Sequence, residues 1–112
     1  MTFEYIIKNN IKMADFKTEI ASMIKEIIQP AYSNLSLCYT KMEKWHLVIS
    51  FANQVLQTDK DNIKNIWRRG IARKMSKMYD EAIEDFEKVK AIDNSMKTDC
   101  LKNIQECREL KK

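Results

Sequence analysis

Lys64 and Arg68 stand four apart in a stretch, residues 63–77, that also carries Arg69, Arg73, Lys74 and Lys77 and no acid. At that spacing two cations project from one face of a helix. A guanidinium fork beside an ammonium is chemistry for holding a carboxylate, since the fork binds both of its oxygens at once. Asn34 lies 34 residues before Arg68 and adds an amide wherever the two positions fall on equivalent faces. The stretch 80–87 reverses the sign, with Asp80, Glu81, Glu84, Asp85 and Glu87 and no base. A cationic groove of this kind would steer an acidic tail toward itself. The plainer reading of the charges is a solvated face steadied by pairing between neighbouring helices, and it is assigned to Arg69, Lys74 and Lys77.

The other reactive side chains do not assemble into chemistry. His46 is the one histidine and has no nucleophile context to join, so it reads as a surface residue. Cys100 and Cys107 are seven apart in a helical pattern, about 10 Å along a helix axis, too far for a disulfide. Cys38 sits on an apolar stripe of another helix, and no C-x-x-C spacing is present. Metal ligation is therefore not expected, and the thiols read as buried and inert. A single Gly among 112 residues rules out phosphate-cradling loops and dinucleotide fingerprints. The net charge of +4 comes with interspersed acids and no aromatic platform, which speaks against nucleic acid. No cofactor and no enzymatic activity are expected of these residues.

What must position Asn34, Lys64 and Arg68 is a helical repeat. With one Gly, one Pro, 45% hydrophobic and 32% charged residues, the chain reads as all-α with short connections. Apolar runs stop at three or four residues, far below the roughly 20 that cross a bilayer. At an offset of 34 the chain matches itself: Trp45 falls on Tyr79, Val48 on Ala82, Ile49 on Ile83, Val55 on Val89 and Asp59 on Asp93. That period is one tetratricopeptide unit, a helix-turn-helix that stacks into a solenoid and binds peptides rather than catalysing. Helices are predicted from Pro30 to about Met42, Trp45 to Gln57, Ile63 to Met75 and Tyr79 to Ala91, followed by a capping helix from about Met96 to Leu110. Asp59 and Asn62 are predicted as helix caps in the turn between two of them. Gly70, which costs about 1 kcal/mol in a helix interior, is expected where the paired helix comes too close for a Cβ, with Ser36 its counterpart one unit earlier. Trp45, Trp67, Tyr79 and Phe86 are expected in the core.

Residues 31–109 resemble the tetratricopeptide domain of large FK506-binding immunophilins, which are peptidyl-prolyl isomerases, and of related co-chaperones. The likeness is carried by Tyr32 to Tyr39 (YSNLSLCY), Asp61 to Gly70 (DNIKNIWRRG), and Tyr79 to Ile83 (YDEAI) with Asp85 and Phe86. The resemblance implies a groove that grips the free C-terminal carboxylate and last Asp of a chaperone tail ending Glu-Glu-Val-Asp, a carboxylate clamp. Asn34 matches the clamp Asn of the second repeat, and Lys64 and Arg68 match the Lys and Arg of the third. Arg69 and Lys8 are further candidates for groove support.

The division expected is a partial or degenerate first repeat and connection over 1–28, repeats over 29–62 and 63–96, and a capping helix over 97–112. For the first segment two readings stand. In the favoured one Phe3 is the aromatic of a second helix of repeat one, with Ile6 and Ile7 after it, and Asn9 to Phe16 connects to a helix Lys17 to Ile28; the first helix of that repeat is then missing. In the other, residues 2–28 form a degenerate complete repeat, and Lys8 could contribute to the clamp.

The function expected is a cytoplasmic or nuclear co-chaperone adaptor for the C-terminus of heat-shock protein 90 or 70. The alternative is a scaffold that binds another protein, or itself, through apolar surface left by an incomplete first repeat. Neither reading involves nucleic acid or membrane.

Overall fold

A computed structural model describes residues 13–112, with side chains from residue 15 onward. The chain order is α1 (Met13–Met23), a π-helical segment (Ile24–Ile28), α2 (Gln29–Lys41), α3 (Trp45–Thr58), α4 (Ile63–Met75), α5 (Tyr79–Ile92), a 3-10 turn (Asn94–Met96) and α6 (Lys97–Lys111). No strand occurs among the described residues. Helices α2 and α3 form one hairpin and α4 and α5 the next, with α3 packed on α4 and α6 packed on α5. The result is an elongated body of 63 × 28 × 20 Å.

The turns inside the two hairpins are built alike. Glu43 and Lys77, 34 apart, both take left-handed backbone, with φ of 57° and 65°. After each, the chain is pinned by an N–H that bonds five residues back, Lys44 to the Tyr39 carbonyl (3.0 Å) and Met78 to the Arg73 carbonyl (2.7 Å). This is the Schellman arrangement that closes a helix C-terminus, where glycine is the usual left-handed residue. The turn between repeats works through side chains. Asn62 caps α4 by accepting from the Asn65 N–H at 3.1 Å, as predicted, whereas Asp59 ends α3 and accepts from Asn62 and Gln29.

One sequence expectation fails at Pro30. A helix was predicted to begin there, but α1, the π segment and α2 run on as one helix from Met13 to Lys41. In α geometry a proline removes the bond to the residue four back and clashes with its carbonyl. Just before Pro30 the helix widens instead, Gln29 donating to Ile24 five residues back, and the wider turn makes room for the ring.

Val48, Ala52 and Val55 are buried on α3, and a larger buried cluster lies in the C-terminal half. Ile66, Ala82, Phe86, Val89, Cys100, Ile104 and Cys107 are buried together, with Leu56, Ile63, Trp67, Ile71 and Tyr79 around them. Trp67 meets the Phe86 ring edge-on at 5.1 Å. Phe86 is fully buried, while Trp45, Trp67 and Tyr79 are half-buried. Gly70 is where the sequence placed a close approach: a Cβ there would stand 3.0 Å from Phe86 Cε1 and 3.2 Å from Asp85 Cβ. Its counterpart Ser36 is fully buried.

Candidate functional site

Helices α2 and α4 are the first helices of successive repeats, and they touch. Across that contact Arg68 reaches α2 with one nitrogen. Its Nη1 donates to the Ser33 carbonyl at 3.1 Å and the Ser36 hydroxyl at 3.0 Å, and lies 3.3 Å from the Ser33 hydroxyl. The guanidinium is thus fixed beside the residue that precedes Asn34. Among the described residues no acceptor reaches its Nε or Nη2, so the rest of the fork is free. Burial lowers the Arg68 pKa from its ordinary value, yet arginine stays charged wherever proteins are folded. Lys64, one turn earlier on α4, and Asn34 on α2 are both exposed, and neither has a hydrogen-bond partner among the described residues.

Beneath Arg68 lies a polar layer that sequence reasoning missed. Asn65 is fully buried. Its Nδ2 donates to the Ser33 hydroxyl (3.0 Å) and to Asn62 Oδ1 (2.9 Å), and its Oδ1 accepts from the Ser36 hydroxyl at 2.7 Å. A buried amide with both ends satisfied fixes the register of α4 against α2. Asn65 stands in the first turn of α4, three residues after its cap Asn62, where an asparagine gives no sequence signal of burial.

Arg69 departs from both expectations made for it. It is neither groove support nor part of a solvated face. Its Nε and Nη2 bind the two oxygens of Asp85 at 3.1 and 2.7 Å, and its Nη1 donates to Asn53 Oδ1 at 2.8 Å, which joins α3, α4 and α5. Arg73 adds a second cation to Asp85 at 2.9 Å. Asp85 is 3% exposed, so this is a buried pair and not a surface one. Lys74 also leaves the solvated face, pairing with Glu106 and donating to Asn103 on α6 at 3.0 Å. Lys77 alone of that group is exposed. The reading of charges paired between neighbouring helices holds; the exposure of Arg69 and Lys74 does not, because Asp85 is buried on α5 and Lys74 lies along α6 to reach a half-exposed Glu106.

Of the remaining sequence candidates, Lys8 lies outside the described residues, as do Phe3, Ile6 and Ile7. Cys100 and Cys107 are buried and reduced, and burial pushes both thiols up. Cys38 is exposed, contrary to expectation, because it stands one turn from Asn34 on the open face of α2. A hollow of about 310 Å³ is lined by Ala21, Ile24, Lys25, Gln29 and Thr58, and by none of Asn34, Lys64 and Arg68.

This stack of hairpins matches a solved structure. The C-terminal TPR-containing domain of an FK506-binding protein from Plasmodium falciparum superposes with a TM-score of 0.64, over 95% of this chain and 80% of that one, at 24% identity. The fold is a tetratricopeptide-repeat domain. Its sequence resembles FK506-binding immunophilins in particular. FK506-binding protein 59 of Drosophila melanogaster is 35% identical over 66 residues, 59% of this chain and 15% of that protein. The peptidyl-prolyl cis-trans isomerase PASTICCINO1 of Arabidopsis thaliana is 33% identical over 66 residues, 10% of its length. FKBP4 of Bos taurus is 30% identical over 76 residues, 68% of this chain and 17% of that protein. The aligned part of this tetratricopeptide domain therefore spans less than a fifth of these curated relatives. No protein-family model matches the chain.

Proposed function

We propose that this tetratricopeptide domain is a protein-interaction module that receives the acidic C-terminus of heat-shock protein 90 or 70, with Asn34, Lys64 and Arg68 as its carboxylate clamp. The observation that carries the reading is Arg68, anchored to α2 by Nη1 alone with its other donors unshared among the described residues. A guanidinium already held in place loses little freedom when it binds a carboxylate, so the charge-assisted bonds count nearly in full. Lys64 supplies a second cation one turn away, unpaired among the described residues, and Asn34 an amide for the same end group. The chain itself acts as an adaptor. In a parent protein with the isomerase activity that its relatives' names carry, the module would bring that activity to a chaperone, in the cytoplasm or nucleus.

Calorimetric titration with acetylated Met-Glu-Glu-Val-Asp tests this, beside an amidated copy of the peptide. Binding at tens of micromolar or tighter is expected, lost on amidation and in Arg68→Ala. Arg68 also bonds to Ser33 and Ser36, so Lys64→Ala is the cleaner variant: its side chain is exposed and bonded to nothing among the described residues, and a weakening of about tenfold with an unchanged fold is expected. A folded chain that ignores the free carboxylate would refute the clamp.

A second reading has its own observation. From Asp15 to Ile28 the helix is exposed except at Phe16 and Ile24, and Ile20, Met23, Ile27 and Ile28 are between 41 and 61% exposed. Such a stripe suits a second copy of the chain, and sedimentation would show concentration-dependent dimerisation.

A further inference from the structure

The repeat register runs on past the clamp residues. Helix α6 begins at Lys97, 34 residues after Ile63 opens α4. The burial pattern travels with it, since Cys100 occupies the place of Ile66 and Ile104 that of Gly70. So α6 is more than a cap: it takes the position of a further inner helix, and Lys102 on it is the counterpart of Arg68, as Arg68 is of Asn34.

Lys102 is exposed, and no acceptor among the described residues holds its ammonium. Two acids share its side of the helix, Asp99 three residues before and Glu106 four after. Glu106 is taken by Lys74, and Asp99 is exposed. The same Lys74 bonds to Asn103, the neighbour of Lys102, and so links this part of α6 to α4 through its long side chain. Asn34, Arg68 and Lys102 thus mark one position on three successive inner helices.

We propose that Lys102 is a specificity-determining residue of the groove, pairing with an acidic side chain about three residues before the C-terminus of the bound peptide. The proposal rests on the clamp reading above. A helix with its side chains is about 10 Å across, and an extended peptide advances about 3.3 Å per residue, so the step from one inner helix to the next is crossed in about three residues. A peptide whose terminal carboxylate sits at Asn34 and Arg68 then presents its third residue upstream at Lys102. An exposed pair of this kind contributes modestly to affinity, and its value is in choosing among peptides that share a carboxylate end.

The test crosses two peptides with two proteins, read by fluorescence anisotropy. The peptides are labelled Met-Glu-Glu-Val-Asp and Met-Gln-Glu-Val-Asp, which differ at the third residue before the end; the proteins are the parent chain and Lys102→Gln. Lys102→Gln is expected to weaken the Glu peptide about three- to fivefold and to leave the Gln peptide unchanged. Circular dichroism should show the same fold for both proteins, as Lys102 is bonded to nothing among the described residues. Equal effects on both peptides, or no effect on either, overturn the assignment of Lys102 while leaving the clamp standing. Failure of the parent chain to bind either peptide removes the clamp reading and this proposal with it.

Discussion

At Lys77 the backbone and the residue type are in conflict. Its φ of 65° places a side chain in the left-handed region, which costs a non-glycine residue roughly 1–2 kcal/mol. Glycine loses part of that advantage through the greater freedom of the unfolded chain. Lys77 is exposed and makes no side-chain bond among the described residues, so nothing else is lost. Lys77→Gly should therefore raise stability by about 0.5–1 kcal/mol, read as a higher midpoint in thermal unfolding. At Glu106 the conflict is absent and pH does the work. Its hydrogen bond from Lys74, then the charge of Lys74, hold its pKa below the ordinary 4.5. A carboxylate depressed in the folded state adds stability above its unfolded pKa and loses it as pH falls through the folded value. The stability gap between the parent chain and Glu106→Gln should be constant near neutrality and close below about pH 4.5, which denaturation series at stepped pH will measure.

Between elements, the same place in two repeats is filled by different chemistry. Tyr39 stacks on Phe51 in the first hairpin, with centroids 5.6 Å apart and planes 6° from parallel. The residues 34 further on are Arg73 and Asp85, an ion pair at 2.9 Å. Leu35 likewise becomes Arg69. Aromatic packing in one hairpin and a buried ionic cluster in the next perform one task, holding the second helix to the first. Removing one side of a buried pair strands the other charge, so Asp85→Ala should cost about 3–5 kcal/mol. Replacing the cluster by its own repeat equivalents, Arg69→Leu with Arg73→Tyr and Asp85→Phe, should restore most of that loss, because apolar packing often matches a buried ion pair in stability. Chemical denaturation of the two variants against the parent decides it. A triple variant no better than Asp85→Ala would mean that the bond from Arg69 to Asn53 matters more than the pair.

For the molecule as a whole, the three thiols divide by the stability of the solenoid's end. Cys38 is exposed, while Cys100 and Cys107 are buried on the face of α6 that packs on α5, where burial also raises their pKa values. A thiolate is the reactive form, so both position and pKa protect the pair. One of the three thiols should react with a disulfide reagent at once in the folded protein, and the other two only as fast as α6 lifts from α5. Stopped-flow labelling separates the phases; a single fast phase of three thiols would mean that α6 is not docked in solution.

The period of 34 was enough, by itself, to determine the helices, their pairing and the alignment of Asn34 with Arg68. Helix α4 begins and ends where predicted, and α3 and α5 end one residue beyond, because a repeated hairpin writes its apolar face and its turns twice. The resemblance added the clamp roles, and the structure bonds Arg68 to Ser33 and Ser36 on the helix that carries Asn34. What the period could not say is which side chains from neighbouring helices meet. Asp85 reads as one of five acids on a polar face, and only the packing of α4 against α5 turns it inward to Arg69 and Arg73. Asn65 has no role in the repeat pattern until Ser33 and Ser36 are placed opposite it. Pro30 reads as a helix start until a π segment lets the helix pass. Those outcomes depend on contacts across helices. A repeat fixes the order of its helices through local periodicity, whereas the burial of a charge or an amide is decided by the partner that reaches it from another part of the chain.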